Sequence, residues 1–250
     1  MASTWISYND LAWTEDLLAN PADYENEVML YVDLIKRTAA EPPLTLLHLG
    51  SGAGGHDWIF KRHFEITGVD LSLGMLNKAR MNNPEIEYIE GDMRTLRLNT
   101  QFDAVIIPDG IDYMASLEDL RKAIQTATLH MKTGGVFLIV AKTEETFQNN
   151  NFAYTGEKDG VHVTLFESNY INPFSANTYE ATLVYLIRQQ GELTIHTDHQ
   201  ILGLFREAIW DELFRDAGLA MYKTNVNGIY DKYLLGEGEY PLTVFVGQKK

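Results

Sequence analysis

The chain contains no cysteine among its 250 residues. Disulfides, thiolate metal sites and cysteine nucleophiles are therefore excluded. It also has no run of about eighteen apolar residues, the length that a membrane-spanning helix needs. Residues 1–10 lack the basic and apolar segments of a secretory signal. These absences predict a cytoplasmic protein that is not inserted in a membrane.

Basic side chains are scarce, because 20 lysines and arginines stand against 35 aspartates and glutamates, a formal net charge of −15. An acidic surface repels the phosphates of nucleic acids, and no basic cluster offsets it. We therefore expect neither DNA nor RNA as a partner. No pair of histidines has metal-ligand spacing on one helix, so no metal site is predicted.

What the sequence does contain is a regular alternation of strand and helix patterns. Strands are predicted at 44–49, 66–70, 86–90, 102–107 and 136–141, with helices at 55–63, 73–81 and 117–131. Such alternation gives a parallel sheet with right-handed crossovers. A further helix at 206–216 and strands at 219–224 and 243–247 complete the pattern. We predict an α/β fold with a Rossmann-like, seven-stranded and mostly parallel sheet.

The flanks of this core have other patterns. Residues 1–43 are mostly helical, with a helix start at 20–23, and we expect them to form an N-terminal lid. The core spans 44–142. Residues 143–203 follow strand five and are predicted to form an antiparallel β insertion, in which 143–160 is a loop and a hairpin turn lies at 189–192. Residues 204–250 return to the core sheet, so the chain is one domain.

The most informative segment is the glycine-rich turn after the first strand. Glycines there let a backbone approach a ligand where a side chain would collide with it. Gly50, Gly52 and Gly55 fit GxGxxG, the dinucleotide spacing, whereas Gly50, Gly52 and Gly54 fit GxGxG, the S-adenosylmethionine spacing. The turn alone leaves both ligands open.

Carboxylates at the ends of the next strands narrow the choice. Asp70 lies twenty residues after Gly50 and can accept hydrogen bonds from ribose hydroxyls, which both ligands carry. Asp92 ends the third strand, where it can accept from an adenine amino group while the backbone of Met93 contacts the ring edge. Dinucleotide-binding domains do not usually have a Gly-Asp pair there, so S-adenosylmethionine is favoured.

These motifs resemble those of class I S-adenosylmethionine-dependent methyltransferases. The resemblance covers roughly residues 45–142 and includes the turn at 131–136. The residue that is usually acidic in the first motif is His48 here, and the frequent cysteine is Ser51. Because the backbone makes most of the contacts, we expect neither change to remove binding. The flanks resemble those of the amino-sugar N,N-dimethyltransferases.

The resemblance implies S-adenosylmethionine as cofactor, with the segment 23–25 folded over its methionine part. The implied binding residues are Tyr24, Gly50, Ser51, Gly52, Gly54, His56, Asp70, Leu71, Met75, Asp92, Met93 and Pro108. It also implies that the insertion roofs the substrate pocket and lies at a homodimer interface.

We expect in-line methyl transfer to a small molecule, with an amine nucleophile favoured over a hydroxyl. The candidate catalytic groups are His199, Tyr113 and Asp109. Asp109 and Tyr113 lie in the exit loop of the fourth strand, and His199 is expected to point into the crevice from the last insertion strand. An O-methyltransferase, an NAD-dependent oxidoreductase and a non-catalytic S-adenosylmethionine binder remain as alternatives.

Overall fold

The computed structural model describes residues 5–19 and 21–250, so Asn20 of the predicted helix start lies outside the described residues. The helices are α1 Glu15–Leu18, α2 Glu25–Thr38, α3 Asp57–Phe60, α4 Leu73–Asn82, α5 Leu117–Leu129 and α6 Glu207–Asp216. The strands are β1 Thr45–Leu49, β2 Glu65–Asp70, β3 Glu87–Glu90, β4 Phe102–Ile107, β5 Met131–Ala141, β6 Asn150–Lys158, β7 Val161–Tyr170, β8 Thr178–Gln189, β9 Glu192–Gly203, β10 Leu219–Val226 and β11 Leu242–Lys249. No helix in these described residues is long and apolar enough to cross a membrane.

The predicted fold class is confirmed. Seven strands form one sheet in the order β10-β11-β5-β4-β1-β2-β3, and β11 alone runs antiparallel, between β5 and β10. The strand order reverses between β1 and β4, because β1 pairs in parallel with both β2 and β4. A crevice opens at the carboxyl ends of the strands at such a switch point, and ligands of open α/β sheets bind there.

Helices cover both faces of this sheet. Leu46 of β1 packs with residues of α2, α3 and α4, whereas its neighbour Leu47 packs with residues of α5 and α6. Successive side chains of a strand point to opposite faces, so an apolar run such as that of β1 is buried on both sides. The two layers hold the carboxyl ends of β1, β2 and β4 in fixed positions.

The loop predicted at 143–160 is partly wrong, because β6 occupies most of it. The strand pairs with β7 through a tight turn in which Asp159 and Gly160 have φ values of 52° and 76°. An Asp-Gly pair between two strands is a strong hairpin signal, but the polar residues around it are typical of a loop, and the prediction followed them. The turn predicted at 189–192 is confirmed, with φ of 53° at Gln190 and 84° at Gly191.

The insertion is a four-stranded antiparallel sheet in the order β6-β7-β8-β9. Its inner face packs against the N-terminal segment, which we define as residues 5–19, through Leu11 and Leu17. The carbonyl oxygen of Leu17 lies where a side chain on Gly156 would be, so α1 approaches the backbone of β6 directly. The N-terminal segment and the insertion therefore meet above the crevice; the domain boundaries stay a prediction.

Candidate active site

The glycine turn adopts one of the two spacings that the sequence allows. Gly50, Gly52 and Gly54 have φ of +76°, +54° and +76°, the left-handed region, whereas Gly55 does not. A Cβ on Gly54 would lie 2.6 Å from the Tyr88 hydroxyl. Since only glycine enters this region at little cost, the conformation of the turn follows GxGxG.

Asp70 connects the turn to the end of β2. Its Oδ2 accepts a hydrogen bond from the Gly52 amide at 2.9 Å, and its Oδ1 accepts from the Ser72 amide at 2.8 Å. Burial raises the pKa of Asp70, and these amides act against that rise. Each carboxylate oxygen has a further lone pair, so the group can also accept two ribose hydroxyls.

Asp92, which the sequence predicts to bind the adenine amino group, is paired with another side chain in the structure. Arg94 binds both oxygens of that carboxylate, with Nε 2.9 Å from Oδ1 and Nη2 2.6 Å from Oδ2, and this pairing lowers the pKa of Asp92. This bidentate ion pair leaves fewer lone pairs of the Asp92 carboxylate for an adenine amino group than the sequence predicts. Met93 lies beside Gly50 and Gly110, on the floor of the crevice.

The other implied cofactor residues surround the turn. Leu71 is exposed at the end of β2, whereas Met75 in α4 and Pro108 after β4 are buried. The Tyr24 ring would be 3.1 Å from a Cβ on Gly55, and it makes an edge contact with His56 at 4.8 Å between ring centroids. The residue that precedes α2 thus lies directly on the glycine turn.

The glycine turn contains buried polar atoms that a bound S-adenosylmethionine would satisfy. Ser51 Oγ and His56 Nε2 in the turn, and His48 Nε2 in the preceding strand β1, are buried without a hydrogen-bond partner among the described residues. Buried polar atoms of this kind are rare and need a ligand or a water. Together with the left-handed turn and Asp70, they fit a ligand that has a ribose and a polar amino-acid end.

A second pocket lies beside this turn, between the N-terminal segment, the exit loop of β4 and the insertion. Its polar lining consists of Tyr8, Asp109, Asp112, Tyr113, Lys142, Glu167, Tyr179 and Gln200, and we call these residues the acceptor pocket. Lys142 Nζ lies 2.9 Å from Asp112 Oδ2, and the Tyr179 hydroxyl donates to the same oxygen at 3.2 Å.

Two tyrosines close one side of the acceptor pocket. The hydroxyls of Tyr8 and Tyr113 are hydrogen-bonded to each other, and Tyr113 donates to Gln200 Oε1 at 3.2 Å. Burial raises the pKa of both phenols above the usual value. Tyr113 is therefore a neutral phenol at neutral pH, which suits orienting a substrate rather than removing its proton.

The predicted orientation of the His199 side chain, into the crevice, is wrong. Its neighbours on β9, Asp198 and Gln200, are buried on the inner face of the insertion sheet, and side chains alternate along a strand. His199 is exposed on the outer face, where its Nδ1 hydrogen-bonds Thr182 Oγ1 at 3.1 Å. It does not reach the acceptor pocket.

Sequence reasoning missed Lys142, Glu167 and Gln200. Glu167 follows the buried Val163 and Leu165 at every second position of β7, so strand alternation alone could have placed it inward. Lys142 directly follows β5, and its partner Asp112 lies thirty residues earlier. Nothing in the local sequence indicates that pairing.

Comparison with known proteins agrees with this geometry. Residues 46–135 match a family model described as a methyltransferase domain. The chain is 28% identical over 207 residues to dTDP-3-amino-3,4,6-trideoxy-alpha-D-glucopyranose N,N-dimethyltransferase of Streptomyces venezuelae, covering 81% of this chain and 86% of that one. It is 27% identical to dTDP-4-amino-2,3,4,6-tetradeoxy-D-glucose N,N-dimethyltransferase of Saccharopolyspora spinosa, covering 80% and 81%.

Solved structures extend the likeness to the whole fold. The crystal structure of Streptomyces venezuelae DesVI superposes with a TM-score of 0.79 at 25% identity, over 96% of each chain. At that coverage the likeness extends well beyond residues 46–135 of the family model. The chain is an S-adenosylmethionine-dependent methyltransferase that is similar to the amino-sugar N,N-dimethyltransferases.

Proposed function

We propose that the protein transfers a methyl group from S-adenosylmethionine to an amine of a small molecule, with amino sugars the favoured class. The observation that carries this proposal is the charge of the acceptor pocket. Asp109, Asp112 and Glu167 supply three carboxylates against one Lys142. Such a pocket attracts a cationic amine more strongly than a neutral hydroxyl. The names of the two curated relatives support the same class.

The cofactor supplies a methyl group on a sulfonium, which is electrophilic without further activation. The chain's residues have to hold the amine in line with it, exclude water and accept a proton, because only a neutral amine attacks. The hydroxyls of Tyr8 and Tyr113 can orient the amine. Burial raises the pKa of Glu167, which makes this carboxylate a stronger base than an exposed one. We assign proton removal to Glu167, with Asp109 at the mouth of the pocket.

This assignment predicts a loss of activity in the Glu167→Gln variant. We expect kcat/KM for an amino-sugar acceptor to fall about 100-fold, the usual scale of a general base. The readout is transfer of labelled methyl groups. Glu157→Gln, an exposed carboxylate of the neighbouring strand β6, is the matched control and should keep its activity.

The same assay also distinguishes an amine acceptor from a hydroxyl acceptor. The wild-type protein is given an amino sugar and the matching sugar with a hydroxyl in place of the amine. Faster transfer to the hydroxyl compound would make the protein an O-methyltransferase. Absence of transfer to any acceptor, with S-adenosylhomocysteine bound, would leave the non-catalytic binder. Thermal protection by NAD alone would indicate the oxidoreductase.

We further propose a cytoplasmic homodimer that binds neither nucleic acid nor membrane. The outer face of the insertion sheet exposes Phe166, Leu193, Ile195 and Ile201, an apolar set that a second copy could cover. A charge at Ile195, which is 60% exposed, should then dissociate the dimer. We expect Ile195→Lys to sediment as a monomer, whereas Leu44→Lys, exposed just before β1, stays dimeric. A monomeric wild-type protein would contradict the proposal.

A further inference from the structure

The residue that is usually acidic in the first motif is His48 in this chain, and it is hydrogen-bonded to a neighbouring side chain. His48 is buried, and its Nδ1 donates to Asp57 Oδ1 at 2.6 Å. The other oxygen of Asp57 accepts from the Tyr88 hydroxyl at 2.9 Å. These bonds tie β1 to α3 and β3. Position 48 therefore supplies no carboxylate to a positively charged ligand group at the turn.

Glu27 brings another carboxylate to the same place. It lies in the first turn of α2, three residues after Tyr24, whose ring rests on Gly55. Its side chain is fully buried, with Oε1 accepting from the Tyr31 hydroxyl at 2.6 Å and Oε2 from the Tyr230 hydroxyl at 2.9 Å. Each oxygen keeps one lone pair for a further donor.

His56 completes the arrangement. Its Nε2 is buried, has no hydrogen-bond partner among the described residues, and lies 3.9 Å from Glu27 Oε2. That separation is too long for a hydrogen bond between the two, but a third group can lie beside both. Burial raises the pKa of Glu27, the nearby His56 acts against that rise, and a further cation placed there would act in the same direction. With its proton on Nδ1, His56 presents Nε2 as an acceptor, so the two side chains together can accept from a third, donating group.

We propose that Glu27 and His56 form the subsite for the α-ammonium group of S-adenosylmethionine. With the ribose at Asp70, the amino-acid end of the cofactor extends along the glycine turn toward His56. An ammonium has three donors, of which one would bind Glu27 Oε2 and one His56 Nε2. Helix α2 thereby takes over the acidic contact that position 48 does not supply.

The test compares two ligands on one variant by calorimetry. S-adenosylhomocysteine carries the amino-acid end, whereas 5′-methylthioadenosine has the same nucleoside and sulfur without it. Glu27→Gln should weaken binding of S-adenosylhomocysteine about 10- to 100-fold, the usual loss of a charge-assisted hydrogen bond. Its affinity for 5′-methylthioadenosine should stay within about twofold of wild type. Asp33→Asn, an exposed carboxylate of the same helix, is the control and should change neither affinity.

The outcomes separate this subsite from a purely structural pair. Equal weakening of both ligands would show that Glu27 only supports the fold, and unchanged binding of both would also overturn the proposal. If Glu27→Gln does not fold, His56→Gln makes the same comparison and should weaken S-adenosylhomocysteine selectively. The inference rests on the cofactor and not on the acceptor. Failure of the wild-type protein to methylate an amine, with normal cofactor binding, would leave it intact.

Discussion

The Asp70→Ala variant is expected to lose cofactor affinity by at least about 100-fold, because it removes the carboxylate that we propose accepts two ribose hydroxyls. The loss also reaches the turn itself. Asp70 holds the Gly52 and Ser72 amides at 2.9 and 2.8 Å, so the variant leaves both donors without their partner. Binding of S-adenosylhomocysteine by calorimetry measures the effect.

Two controls make this result specific. Glu87→Gln lies on the neighbouring strand β3, carries an exposed carboxylate and should bind as wild type does. Circular dichroism should show that Asp70→Ala keeps the secondary structure, because β2 pairs with β1 and β3 through its backbone. Unchanged affinity in Asp70→Ala would remove the ribose assignment.

The cofactor half of the site was accessible from the sequence because it is local. The glycines at 50–54 lie within one turn, and Asp70 and Asp92 follow from the rule that ligands bind at the carboxyl ends of parallel strands. The glycine turn alone left the spacing open, the later motifs favoured Gly54 over Gly55, and the backbone angles agree with that choice. The same rule predicts the position of Asp92, but it does not predict that the Arg94 guanidinium binds the Asp92 carboxylate.

The acceptor half was not accessible in the same way, because its residues come from distant segments. Tyr8, Tyr113 and Gln200 meet only after the N-terminal segment and β9 have docked on the core. The sequence pattern can assign a residue to a strand, but the face of the sheet on which its side chain lies depends on the register of that strand. His199 was therefore assigned to the crevice, whereas its neighbours Asp198 and Gln200 occupy the inner face.

The pair of Lys142 and Asp112 predicts the largest effect on stability. Both side chains are largely buried, with exposed fractions of 17% and 8%. Burial raises the pKa of Asp112, and the ammonium of Lys142 counteracts this rise. Removing the partner of a buried charge typically costs about 3–5 kcal/mol. For a chain of this size that corresponds to a fall in Tm of about 6–20 °C in Lys142→Met.

The dependence on pH and a second substitution distinguish this mechanism from a loss of packing. Without Lys142 the pKa of Asp112 in the folded state rises further above its unfolded value, so the variant gains stability relative to wild type as the pH falls. We expect the difference in Tm to shrink between pH 7 and pH 5, and the double variant Lys142→Met/Asp112→Leu to recover most of it. Lys132→Met removes the lysine of a more exposed ion pair, between β5 and Asp103 of β4, and should cost less than about 1 kcal/mol. A pH-independent loss, or no recovery in the double variant, would mean that Lys142 stabilises the pocket by packing rather than by its charge.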